Sequence, residues 1–218
     1  VPRLPVRRTL VLLIAAAILA GGGFAAGVAF DGIKGKFAAR EDPSTRIRYR
    51  HRLSLFAVLK SRPDLVMLGD SITESGAWAE LLGRPAANRA LGGDTSALLL
   101  KRLDVSVPDS ARTVVIMIGL NDLKDSEFTP ERTAANVETI LRRLQGRRVI
   151  LQSVLYDADA SHNARIDALN ARYAALCAQG LCEWLDLQRT VTVAGSYDGR
   201  HLAGPAYLAW AEALKAKL

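Results

Sequence analysis

Val66-Met67-Leu68-Gly69-Asp70-Ser71-Ile72-Thr73 is an apolar run that stops at a glycine, an acid and a serine. A short run of this kind, apolar without alternation, predicts a strand buried on both faces of a parallel sheet. Ser71 then falls at the carboxyl end of the strand, where the next helix begins. Open α/β sheets bind ligands at such ends. A helix start also offers unpaired backbone N–H groups that favour developing negative charge. Ser71 is therefore a candidate nucleophile whose own N–H can serve as an oxyanion donor. The alternative is that Asp70 and Ser71 only cap the helix.

Downstream of this stretch, strand-like and helix-like patterns alternate. Leu65–Leu68, Ala86–Ala90, Thr113–Ile118, Arg148–Val154 and Leu181–Leu187 are predicted strands. Thr73–Leu82, Ser96–Leu103, Pro130–Leu144, Asn163–Gln179 and Pro205–Leu218 are predicted helices. The alternation predicts an α/β fold with parallel pairing and right-handed crossovers.

Upstream, Pro43-Ser44-Thr45 predicts the start of one more helix, ending before Pro63. Ile47, Leu53, Leu55, Phe56, Val58 and Leu59 are its expected apolar face. Earlier still, Arg3, Arg7 and Arg8 precede an apolar run from Leu10 to Phe30, long enough to span ~30 Å of hydrocarbon as a helix. We read residues 10–30 as a signal anchor that places the remaining chain outside the cytoplasm. A signal peptide cleaved after Gly27-Val28-Ala29, giving a secreted protein, is the alternative. The domain plan is then residues 1–30 leader, 31–62 linker and helix, and 63–218 main domain.

Composition narrows the functional classes. The 218 residues are 50% hydrophobic, enough for a full core. The net charge of +7 comes from scattered residues, apart from Arg46, Arg48, Arg50, His51 and Arg52. Aromatics are few in the chain, 6% of it, so nucleic acid is not an expected partner and lipid headgroups fit the cluster at least as well. Cys177 and Cys182 bracket Ala-Gln-Gly-Leu at a predicted helix end. They form either a disulfide, in an oxidising compartment, or two buried thiols. No Cys/His cluster has metal-ligand spacing, and no cofactor is expected.

The remaining signals sit at strand ends. Asn88-Arg89-Ala90-Leu91-Gly92-Gly93-Asp94-Thr95 follows the second strand and offers a glycine N–H to a ligand. Gly119-Leu120-Asn121-Asp122 follows the third, and Asn121 can donate its side-chain amide. Asp198-Gly199-Arg200-His201 precedes the last helix. There His201 is a candidate general base, and Asp198 a candidate partner for its other ring nitrogen. Asp157 and Asp186 compete for the acid role without that short tether. His51 and His162 are expected at the surface, and Trp78 in the core rather than beside Arg89 in a pocket.

Gly69-Asp70-Ser71-Ile72-Thr73, Asn88 to Asp94, Gly119-x-Asn121-Asp122 and Asp198-x-x-His201 together resemble the four blocks of the SGNH (GDSL-type) hydrolases. The second block is closest to the branch resembling the platelet-activating-factor acetylhydrolase catalytic subunits. The resemblance implies a flavodoxin-like three-layer sandwich with a five-stranded parallel sheet. It implies Ser71 as nucleophile, His201 as base and Asp198 as its partner, with an oxyanion hole of the Ser71 N–H, the Gly93 N–H and the Asn121 amide. It implies a small-molecule, glycan or lipid ester as substrate. Short acyl groups are favoured, O-acetyl groups on glycans among them. The alternatives are a lysophospholipase, broad acyl esterase or thioesterase, and a tethered binding protein without catalysis.

Overall fold

The computed structural model describes residues 42–124, 129–194 and 196–218. The expected membrane segment lies outside them. Among the described residues no helix is long and apolar enough to cross a membrane.

The Leu65–Gly69 run forms strand β1, and every residue of it is buried. It is the second strand of a five-stranded parallel sheet, with β2 (Ala87–Asn88) on one side and β3 (Thr113–Met117), β4 (Arg148–Gln152) and β5 (Glu183–Leu185) on the other. All four pairings are parallel. The order 2-1-3-4-5 is the flavodoxin-like one, in which the chain reverses direction between the first and third strands. The carboxyl ends of β1 and β3 flank that switch point.

Helix α1 (Ile47–Val58) precedes the sheet. Helices α2 (Ser71–Glu74) and α3 (Trp78–Leu82) join β1 to β2, and α4 (Ser96–Lys101) and α5 (Leu103–Ser106) join β2 to β3. Helices α6 (Pro130–Arg143), α7 (Asn163–Ala178) and α8 (Gly204–Lys215) complete the chain. Right-handed crossovers running in opposite directions from β1 put helices on both faces. Accordingly α3 packs on α8, while α6 packs on both α4 and α7. The first of these layers is held by Trp78, Tyr207 and Trp210. The two indoles meet edge to face with centroids 4.6 Å apart.

Three expectations need correction. The predicted helix 73–82 is two short helices. Its break follows from polar groups that take the carbonyls a longer helix would use: Asn88 Nδ2 donates to the carbonyls of Thr73, Glu74 and Gly76, and the Trp78 indole N–H to that of Thr73. The expected apolar face of α1 holds only for Phe56 and Leu53, since Ile47, Leu55, Val58 and Leu59 are exposed. Tyr49, not expected there, joins Phe56 in pointing inward, and both pack with Leu91, with Leu53 half-buried beside them. Arg48 and Arg52 pair with Glu74 and the Tyr49 hydroxyl donates to Asp94, and these partners on the domain set which face of the helix turns inward. Lastly, His162 is not a free surface residue, because its imidazole lies half-buried between Asp157 and Asp159.

Candidate active site

Ser71 is the first residue of α2. Asp70 is its N-cap, with a side chain that accepts from the Ile72 N–H. The strand-to-helix turn is tight. A Cβ on Gly69 would lie 2.5 Å from the Met117 carbonyl oxygen and closer still to the Thr73 hydroxyl. Only glycine fits there, and its absence of side chain lets α2 start directly on the sheet edge. Asp70 is buried, and desolvation pushes its carboxyl up to about 6.

His201 comes to Ser71 from 130 residues further along the chain, with Nε2 2.8 Å from the serine Oγ. Its Nδ1 lies 2.5 Å from Asp198 Oδ2. The other oxygen of Asp198 accepts from the backbone N–H groups of His201 and Arg200, at 2.8 and 3.0 Å. These bonds, the imidazole's first, hold the Asp198 carboxyl far below the usual carboxylate range. The turn is anchored in its turn by Arg200, whose guanidinium binds Asp157 at 2.9 Å, and by the Ala158 N–H, which donates to Gly199. Asp157 is thus committed to Arg200 and His162, and Asp186 caps the Gln188 N–H. The structure brings Asp198 alone of the three acids to His201.

The second block runs beside Ser71, and the third is bonded to the second. A Cβ on Gly92 would lie 3.6 Å from Ser71 Cβ, so this loop runs past the serine. The Gly92 N–H is taken by Glu74 Oε2 at 3.0 Å. Gly93 has φ +87°, a conformation other residues rarely adopt. Asn121 is buried. Its amide donates to the Asp94 carbonyl at 2.9 Å, which leaves the second amide hydrogen for another acceptor. Its Oδ1 accepts from Lys124, which fixes which way the amide faces. Asp122 beside it accepts from the N–H and hydroxyl of Ser96 and ties the third block to α4. Asp94 is held by the Tyr49 hydroxyl and by Arg102, at 2.8 and 2.6 Å.

Arg89 is buried against α1 with its guanidinium 4.8 Å from the centre of the Phe56 ring, and Trp78 is core, 1% exposed. Cys177 and Cys182 are joined by a disulfide between the end of α7 and β5. Among the described residues no group of three or more His, Cys, Asp or Glu is placed to hold a metal. The partners missed from sequence are Glu74, Tyr49, Arg102 and Arg200. Glu74 was the most accessible to reasoning, since it follows Ser71 by one helical turn.

A hydroxyl, an imidazole and a carboxylate linked in series at the edge of a parallel sheet make the arrangement of a serine-hydrolase site. The chain belongs to the GDSL-like lipase/acylhydrolase family, whose sequence model matches residues 67–214, and it is an ester hydrolase. No curated sequence matches it. Among solved structures it is similar to a Streptococcus pneumonia protein provisionally named a platelet activating factor. That match has TM-score 0.69 and 23% identity over 77% of this chain and 89% of the other. A lipase/acylhydrolase from Enterococcus faecalis matches with TM-score 0.61 and 23% identity, over 70% and 93% of the two chains. An acetylxylan esterase from Geobacillus stearothermophilus matches with TM-score 0.61 and 18% identity, over 72% and 94%. At these identities the likeness is one of fold.

Proposed function

We propose that this chain is a serine esterase that cleaves short acyl groups through an acyl-enzyme, with Ser71, His201 and Asp198 as its triad. The observation that carries the reading is the unbroken chain of contacts from Ser71 Oγ through both ring nitrogens of His201 to Asp198. His201 Nε2 takes the serine proton as Oγ bonds to the ester carbonyl carbon. The carbonyl π pair moves onto oxygen, and the N–H groups of Ser71 and Gly93 and the Asn121 amide stabilise it. The imidazolium, steadied by Asp198, gives its proton to the departing alcohol as the C–O bond breaks. Water then repeats the cycle on the acyl-serine.

The shape of the site supports a substrate class. The side chains of His201 and Asp198 are 44% and 50% exposed, so the base stands at the surface and a bulky alcohol can approach it. An O-acetylated glycan fits such an opening, and an acetylxylan esterase is among the similar folds. A second reading, a lysophospholipase or broad acyl esterase, has one observation in its favour. An open apolar depression of about 530 Å³ is lined by Ser75, Ala77, Leu81, Pro205 and Leu208 among others. Ser75 donates to the Ser71 carbonyl, and Pro205 follows His201 closely, so an alkyl chain there would lie near the triad. We further propose that the domain is tethered outside the cytoplasm by residues 10–30, supported by the basic, apolar leader and the disulfide.

The decisive experiment is turnover of p-nitrophenyl acetate, then of longer acyl esters and acetylated xylan, by the wild type, Ser71→Ala and His201→Ala. Both variants should lose at least about a thousandfold in kcat. Wild-type rates in either would reject the assignment. A chain that neither turns over esters nor reacts with a fluorophosphonate at Ser71 would be a binding protein.

A further inference from the structure

We propose that Glu74 is a positioning residue for the oxyanion hole, and that α1 holds it there through Arg48 and Arg52. This rests on the esterase reading above. Glu74 reaches across from the helix that carries Ser71 and binds the Gly92 N–H with Oε2 at 3.0 Å. The next peptide N–H is that of Gly93, the assigned donor. A carboxylate bond to the neighbouring amide is charge-assisted and directional, so it fixes the tilt of the loop. Oxyanion donors work only when held in place before charge develops.

A bare carboxylate beside that site would, however, oppose the negative charge it is meant to serve. The structure answers this with two guanidiniums. Arg48 lies 2.9 Å from Oε2 and Arg52 3.5 Å from Oε1, and the Glu74 side chain is only 7% exposed. The local sum of Glu74 and its two partners is then positive, which suits an oxyanion. Two more contacts come from the same part of the chain. The Pro43 ring stands 3.0 Å from where a Cβ of Gly93 would be, and the Tyr49 hydroxyl binds Asp94 at 2.8 Å. Residues 92, 93 and 94 are thus each braced, directly or through Glu74, by residues 43–52. All of these bracing residues except Glu74 precede the span 67–214 matched by the family. The 43–58 segment is therefore part of the working site and not only a connector.

The test uses the purified full chain and compares Glu74→Ala, Glu74→Gln and the double variant Arg48→Gln/Arg52→Gln with wild type. The readouts are kcat and KM for p-nitrophenyl acetate, and inhibition by an aryl trifluoromethyl ketone. That ketone adds the Ser71 hydroxyl to its carbonyl and places the resulting oxyanion in the hole. Glu74→Ala should lower kcat about 10- to 100-fold with KM changed less than about twofold, and weaken the ketone in parallel with kcat. Glu74→Gln keeps an acceptor for the Gly92 N–H and should recover most of the loss. The double arginine variant should lower kcat about tenfold at constant KM, and it decides the matter if Glu74→Ala does not fold. Unchanged kcat in the folded variants, or a ketone affinity that follows KM instead, overturns the proposal while leaving the esterase reading intact. Absence of any Ser71-dependent turnover in the wild type overturns both.

Discussion

Asn121 and Asp70 show how a single side chain serves this site in two different ways. Asn121 has one amide hydrogen bound to Asp94 and its oxygen bound to Lys124, so its remaining N–H points in a fixed direction. Asn121→Ala should cost about 2.7–4 kcal/mol of transition-state stabilisation, read as a hundredfold or greater fall in kcat in protein that circular dichroism shows to be folded. Asp70 works against the fold. Its carboxyl is raised from 3.8 to about 6 by burial, so between those values the folded chain keeps a proton that the unfolded chain releases. Stability therefore falls as pH rises from about 4 to about 6 and stays lowered above that. Asp70→Asn keeps an acceptor for the Ile72 N–H and removes the buried charge. It should raise the unfolding midpoint at pH 8 by several degrees, worth about 1–3 kcal/mol, with the gain vanishing near pH 4. A midpoint lowered at pH 8 would contradict the burial argument. Asp198 has the opposite sign, since its carboxyl stays ionised far into acid.

At the level of elements, two fastenings separate stability from chemistry. The Trp78, Tyr207 and Trp210 cluster joins α3 to α8, and the Tyr207 hydroxyl also donates to the Ile72 carbonyl at 2.7 Å. Trp78→Ala should cost about 3–5 kcal/mol and lower activity with it, because α8 follows the His201 turn. The disulfide between α7 and β5 lies at the far edge of the sheet. Cys177→Ser/Cys182→Ser should cost about 2 kcal/mol in chemical denaturation while the esterase rate in folded protein stays unchanged. Strands β1, β3 and β4 could be read in the sequence because each is a short, largely apolar run that the fold buries, whereas β2 and β5 are shorter than expected and half-buried. Helix boundaries were less legible. The 73–82 pattern is amphipathic, and the Asn88 amide and the Trp78 indole end its first helix after Glu74. For α1, periodicity pointed at Ile47 and Val58, whereas Tyr49 and Arg52 decided its orientation through partners forty or so residues away or more.

For the molecule as a whole, the serine, the glycine loop and Asn121 were visible because each follows a strand, and a parallel sheet gathers those ends on one edge, while Asp198 and His201 were visible as a short-tethered pair on the loop before the last helix. What sequence could not show was what holds them. Glu74, Tyr49, Arg102 and Arg200 make charged or polar contacts whose partners lie in other elements, and neither spacing nor composition records them. Their common effect is to hold backbone turns, at Gly92, Asp94 and Gly199, to a frame set by the sheet. The glycan and lipid readings are separated at this same scale, by whether acyl chain length or alcohol size governs kcat/KM. A preference for acetyl esters of large sugars over long-chain esters would exclude a role for the Leu81–Leu208 depression in acyl binding.

The sequence separation of 130 between Ser71 and His201 also sets an order of events during synthesis. A growing chain would carry its hydroxyl, its glycine loop and Asn121 long before the imidazole leaves the ribosome. Ester cleavage would begin only once the closing helix had emerged and docked on Trp78, so a partly made domain is silent towards the acyl groups around it.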